Sequence, residues 1–247
     1  MRGRLLKAVG KAMMLMFTRT RRRGIKLAVN TQGRFRRYDA FNHLCRSLFS
    51  SKSDLFAMLT AYFDDSGTSP KENVAVVAGY VGYSDQWGMF AAKWKELLDQ
   101  SGIKVSHRSD MECFHGEFAS WTPDKRTDFV KKADKIIQKR TSMPVGSAVI
   151  KSDFEEMVPT RLEKHIGGHF GWCVTEAVAF TNSWTNKINH KGPIHWVFEA
   201  GTTGQPRVNE MLSRLYANTD WRKRFRIKSW SFGDKSLLPL QAADSIA

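Results

Sequence analysis

Three carboxylates in this sequence sit where a carboxylate is costly. Asp64 ends the apolar run Leu59-Thr60-Ala61-Tyr62-Phe63 and opens Asp64-Asp65-Ser66-Gly67. Glu199 closes Ile194-His195-Trp196-Val197-Phe198 and leads into Ala200-Gly201. Asp244 lies inside Pro239-Leu240-Gln241-Ala242-Ala243-Asp244-Ser245-Ile246-Ala247, an otherwise apolar, helix-like stretch in which a mid-helix Asp has poor propensity. A carboxylate that loses its hydration needs a cation or hydrogen-bond donors in exchange. Three of them, drawn from distant parts of one chain, make the donor set of a hard divalent cation. Carboxylate oxygens select Mg²⁺ or Mn²⁺ over softer metals. Such ions can activate water and stabilise the leaving oxygen in an in-line attack on a phosphodiester, with no Ser, Cys or His nucleophile. The plainer readings are turn chemistry for Asp64 and Asp65 and a solvated strand end for Glu199.

Several further residues could join that chemistry. His107 and Asp110 follow the short run Ile103-Lys104-Val105-Ser106, with Glu112 close behind. Asp110 suits a further metal ligand. His107 suits a proton shuttle, because imidazole titrates near neutral pH; a strand-end His bonded to a backbone carbonyl is the alternative. Lys235, in Gly233-Asp234-Lys235, could neutralise a bound phosphate, although turn chemistry also accounts for that dipeptide. Side chains alternate across a strand, so with Asp64 turned to a site Asp65 is expected on the other face, opening the turn at Gly67. His165 and His169 with Cys173 could hold zinc, but Gly167-Gly168 disfavours a shared helix and no Glu completes an HExxH pattern, so a loop is expected. Gly201-Thr202-Thr203-Gly204 lacks the spacing and the Lys of a P-loop.

The elements that must carry these groups alternate between strand and helix. Residues 59–64 predict a strand, Asp65–Pro70 a turn, and residues 73–82 a second strand paired back as a hairpin. A helix from Ser84 or Asp85 to Gln100 buries Trp87, Phe90, Trp94, Leu97 and Leu98 at helical spacing and stops at Gly102. Its aromatic residues read as core rather than as a base-stacking platform. Ile103–His107 predicts a short third strand. Thr122-Pro123-Asp124 starts a helix to about Thr141. Pro144–Ile150 predicts a strand, Ser152–Glu163 a loop or short helix broken at Pro159, and Phe170–Thr185 a buried helix. Residues 194–199 form the Glu199 strand, Pro206–Ala217 a helix, Arg226–Phe232 a half-buried edge strand, and Leu238 opens a last helix in which the chain stops, an expected truncation. The pattern implies an α/β fold with a mixed sheet and helices on its faces.

Composition separates two regions. The formal net charge is +15. Residues 1–55 hold 14 Lys/Arg against Asp39 and Asp54, whereas the rest hold 25 Lys/Arg against 22 Asp/Glu. The basicity therefore belongs to residues 1–57, read as a phosphate-neutralising arm, an Arg-rich targeting segment, a disordered tail, or a mis-called gene start with Met58 as the true one. Residues 58–247 form the expected domain. Cys45, Cys113 and Cys173 are scattered and odd in number, which predicts reduced thiols and a cytoplasmic location. No run of about 18 apolar residues exists to span a membrane.

Five blocks together resemble the domain of unknown function 3800 family: Tyr62-Phe63-Asp64-Asp65-Ser66-Gly67, His107-Arg108-Ser109-Asp110, Phe198-Glu199-Ala200-Gly201, Phe232-Gly233-Asp234-Lys235 and Leu240-Gln241-Ala242-Ala243-Asp244. The resemblance spans roughly Met58 to Ala247 and leaves the basic arm uncovered. It implies a ribonuclease H-like fold with acidic residues on the first strand, a later strand and the last helix, which are Asp64, Glu199 and Asp244 here. It implies no substrate. The expected activity is thus metal-dependent phosphodiester hydrolysis, nuclease-like. The competing expectations are a non-catalytic nucleic-acid-binding or regulatory domain on the same fold, and hydrolysis of a small phosphoester. Arg222-Lys223-Arg224-Phe225-Arg226-Ile227-Lys228 is the one basic cluster outside the arm, read either as a phosphate contact or as a solvated edge strand.

Overall fold

A computed structural model describes residues 58–247 apart from Thr68, Pro70 and Thr203. The basic arm and Cys45 lie outside the described residues. Five strands form one sheet: β1 (Leu59–Ser66), β2 (Val74–Tyr83), β3 (Met143–Ile150), β4 (Ile194–Glu199) and β5 (Ile227–Gly233), in the order β3-β2-β1-β4-β5. β1 and β2 pair antiparallel, as do β2 and β3, while β4 runs parallel to both β1 and β5. This is an α/β mixed sheet in a ribonuclease H-like arrangement.

The strands are apolar on both faces because both faces are covered. Leu59, Ala61 and Phe63 of β1 and Ile194, Trp196 and Phe198 of β4 pack against α6 (Gly168–Lys187) and α7 (Gln205–Ala217). Tyr62 and Val197 point the opposite way, into a second cluster with α1 (Ser84–Ser101), α3 (Pro123–Arg140) and α9 (Leu238–Asp244). Period-two alternation then places Asp64, after Tyr62, and Glu199, after Val197, on the α9 side of the sheet. Trp87, Phe90 and Trp94 are core residues of this cluster, each at most 2 % exposed. Trp87 Nε1 also donates to Thr60 O at 2.9 Å, tying α1 to β1.

The third strand is not where alternation predicted it. Ile103–His107 is irregular, and β3 is Met143–Ile150. The physical reason is the fate of the backbone donors. Glu117 Oε2 accepts Lys104 N at 2.9 Å and Val105 N at 3.1 Å, and Gln241 Oε1 accepts Ser106 N at 3.0 Å, so side chains take the place of a ladder. Three consecutive antiparallel strands are therefore present, with a helical insertion of α1, α2 (Arg108–Cys113) and α3 between the second and third. Two short helices, α4 (Lys151–Met157) and α5 (Thr160–Ile166), flank Pro159. α8 (Thr219–Arg224) was not foreseen; Asn218 Oδ1 caps it by accepting from Asp220 N and Trp221 N. Cys113 and Cys173 are free thiols, and no helix among the described residues is long and apolar enough to cross a membrane.

Candidate metal centre

β1 outruns its parallel partner. Pairing with β4 ends at Phe63↔Phe198, while pairing with β2 continues to Ser66. Asp64 stands at the first position past that limit. Its carboxylate is buried, and Oδ1 turns back to accept Asp65 N at 2.7 Å, replacing a lost ladder bond. Glu199 ends β4 at the same carboxyl end of the sheet, where open α/β sheets place their sites.

Asp65 is not a turn residue. It remains in β1 opposite Val77, and the turn begins at Gly67, whose φ of 71° suits glycine. One carboxylate oxygen from each of Asp64, Asp65 and Glu199 lies within 4.8 Å of the other two. Ligands on one Mg²⁺ at about 2.1 Å stand up to roughly 4.2 Å apart, so small side-chain movements bring all three into one shell. Asp65 Oδ1 is buried and has no hydrogen-bond partner. Three hard oxygens, from a group in which Asp65 also has an unpartnered buried oxygen, fit a metal cation.

Asp244 joins the group through a lysine. Lys235, between β5 and α9, places Nζ 2.5 Å from Asp244 Oδ1, 3.3 Å from Glu199 Oε1 and 3.4 Å from Asp64 Oδ2. Asp64, Glu199 and Asp244 thus converge from β1, β4 and α9 on one point. Asp234 performs turn chemistry, accepting Ser236 N at 2.8 Å, and Lys235 lies within the same turn while its side chain reaches the carboxylates. Asp244 Oδ2 accepts Arg108 N at 2.5 Å, which ties α9 to the start of α2.

The charges are unbalanced. Burial, contact with Glu199 and the Glu199 charge raise Asp64 from 3.8 to about 6, against the opposing pull of Lys235. Burial and the Asp64 charge raise Asp65 from 3.8 to about 7. Burial also raises Asp244, opposed by Lys235 and by the Arg108 N–H. Burial alone would lower Lys235, but Asp244, Asp64 and Glu199 outweigh it and hold the ammonium charged. One ammonium does not neutralise four carboxylates, so the centre retains protons near neutral pH or takes up a further cation.

His107 and Asp110 form the rim. His107 Nε2 is 3.9 Å from Asp244 Oδ1, and its Nδ1 is 2.8 Å from Ser109 Oγ and 3.5 Å from Asp110 Oδ2. Asp110 is half exposed and, among the described residues, is linked to the centre through His107. Glu112 is engaged with Arg108 Nε at 2.8 Å. Sequence reasoning missed the role of Gln241. Buried on α9, its Oε1 accepts Trp94 Nε1 at 2.9 Å and Ser106 N at 3.0 Å, while its Nε2 donates to Lys235 O at 2.7 Å. It joins α1, the His107 segment and the Lys235 backbone. A fully polar side chain in an apolar helix was the available signal.

His165, His169 and Cys173 do not form a metal group among the described residues. His169 Nε2 lies 3.3 Å from Glu155 Oε1 without a hydrogen bond, and Cys173 Sγ lies on Ala75 O at 3.5 Å in the opposite core. They sit on two helices separated by Gly167, rather than in the expected loop. In the basic cluster, Arg226 is anchored on Asn182 and Asn186, at 2.6 and 2.7 Å. Comparison of the sequence with models of known protein families gave no match, and comparison with curated proteins gave none either.

Proposed function

We propose that this chain is a metal-dependent phosphodiester hydrolase acting on nucleic acid, with Mg²⁺ or Mn²⁺ held by Asp64, Asp65 and Glu199. The observation that carries the reading is the convergence of Asp64, Glu199 and Asp244 with Asp65 at the carboxyl end of parallel strands. The ribonuclease H-like sheet and the resemblance to the domain of unknown function 3800 family support it. A bound divalent ion supplies Lewis acidity and lowers the pKa of water. Water attacks phosphorus, the phosphorus–oxygen bond to the leaving group breaks, and the leaving oxygen takes a proton. Asp244, fixed by Arg108 N and Lys235, orients the centre from the helix side. His107, beside Asp244 and open to solvent, passes protons between the centre and bulk water. Asp110 holds the His107 ring from the outside, a role in place of direct ligation.

The test is cleavage of single- and double-stranded DNA, RNA and RNA–DNA hybrid by the purified chain with Mn²⁺ or Mg²⁺. Cleavage that requires the metal and falls at least ~10²-fold in Asp64→Asn is expected. Equal cleavage by Asp64→Asn rejects the site, and no cleavage of any form rejects the activity. A second reading is favoured by Lys235, whose three ion pairs would also suit a structural network in a non-catalytic regulatory domain. Absence of Mn²⁺ binding in calorimetry would favour it.

A further inference from the structure

Lys235 stands in a place that a second metal ion would want. Centres that use two ions hold them about 3.5–4 Å apart on shared carboxylates. Asp64 and Glu199 are shared here in that sense. With Asp65 they form the group of three oxygens within 4.8 Å, and with Asp244 they hold Lys235 Nζ. The lysine is not a surface side chain that has folded in. Only 13 % of its side chain is exposed, and its own carbonyl is fixed by Gln241 Nε2 at 2.7 Å, on a helix that also carries Asp244.

We infer that the Lys235 ammonium is the permanent second cation of this centre, so that the chain takes a single divalent ion, at Asp64, Asp65 and Glu199. The inference rests on the metal reading above and deepens it. A second ion between Asp64, Glu199 and Asp244 would have to expel a tethered ammonium from three anions. A tethered group competes at an effective concentration in the millimolar range, with no translational entropy left to lose. Mg²⁺ would in addition give up hydration waters that it releases reluctantly. Lys235 brings one positive charge to the Asp244 side of the centre without any metal concentration threshold, and it cannot be removed by chelators.

Mn²⁺ titration of the full chain, by calorimetry and by electron paramagnetic resonance at saturation, tests this. Wild type should take one ion with the six-line signal of isolated Mn²⁺. Lys235→Ala should take two, with an exchange-coupled signal, and Lys235→Arg should return to one. Two ions in wild type overturn the inference whatever the variants do, and so does one ion in a folded Lys235→Ala. Two ions in wild type leave the metal reading intact, whereas no bound Mn²⁺ in wild type removes both.

Discussion

Asp65 concentrates the tension of the centre in one side chain. Its carboxyl is raised from 3.8 to about 7, first by burial and then by the Asp64 charge. Between those values the folded state holds a proton that the unfolded state releases. The folded metal-free protein therefore loses stability as pH rises from about 4 to about 7, and the loss is complete above that window. Asp65→Asn should raise the urea midpoint of the metal-free protein at pH above 7, by roughly 1–3 kcal/mol in stability, and do little below pH 4. An equal shift at both ends would contradict the burial account. Gln241→Leu tests the opposite kind of group. It leaves the indole N–H of Trp94 and the N–H of Ser106 unpaired in the interior, so a cost of about 2–4 kcal/mol is expected in the same measurement. The two residues differ in legibility. Asp64, Glu199 and Asp244 were visible because each interrupts an apolar run. Strict alternation sends neighbours to opposite faces, and so places Asp65 in the turn. At the end of β1, where β4 no longer pairs, that rule stops governing where a carboxylate can reach.

At the scale of elements, the site depends on one strand end and one turn. β1 runs on past β4, and Gly67 reverses the chain toward β2. At Gly67 a Cβ would lie 1.8 Å from Val74 O, and φ is 71°. Gly67→Ala should destabilise the protein by about 2 kcal/mol or more and weaken Mn²⁺ binding together with it, because the turn follows directly on the strand end that carries Asp65. Unchanged thermal unfolding in that variant would show that the turn adapts without cost. The strands and long helices were legible from apolar spacing, as α1 shows with Trp87, Phe90 and Trp94 on one face. Ile103–His107 was not. Its alternation imitates a strand, but what satisfies its backbone are Glu117 and Gln241, and the second of these lies 135 residues away from Ser106 in sequence. For Lys235 the sequence marks a cation suited to a phosphate but not its carboxylate partners: these come from β1, β4 and α9, and no local pattern encodes that meeting.

Across the whole molecule, charge and chemistry are segregated. Residues 1–55 carry 14 Lys/Arg against two acidic residues, while the domain that holds the centre is nearly neutral. Affinity for a polyanion should therefore fall steeply with salt in the full chain, over about 50 to 200 mM. A chain starting at Met58 should lose most of that salt dependence while keeping its Mn²⁺ affinity. Fluorescence anisotropy with a labelled RNA reads the first and calorimetry the second; a salt slope that survives truncation would move the polyanion contact onto the domain. The claim on which the rest depends is narrower: a divalent ion at Asp64, Asp65 and Glu199. Anomalous scattering from Mn²⁺-soaked crystals tests it most directly. One strong peak is expected within about 2.1–2.4 Å of a carboxylate oxygen from each of these three residues, absent in Asp64→Asn. A well-ordered centre with Lys235 in place and no peak at saturating Mn²⁺ would contradict it.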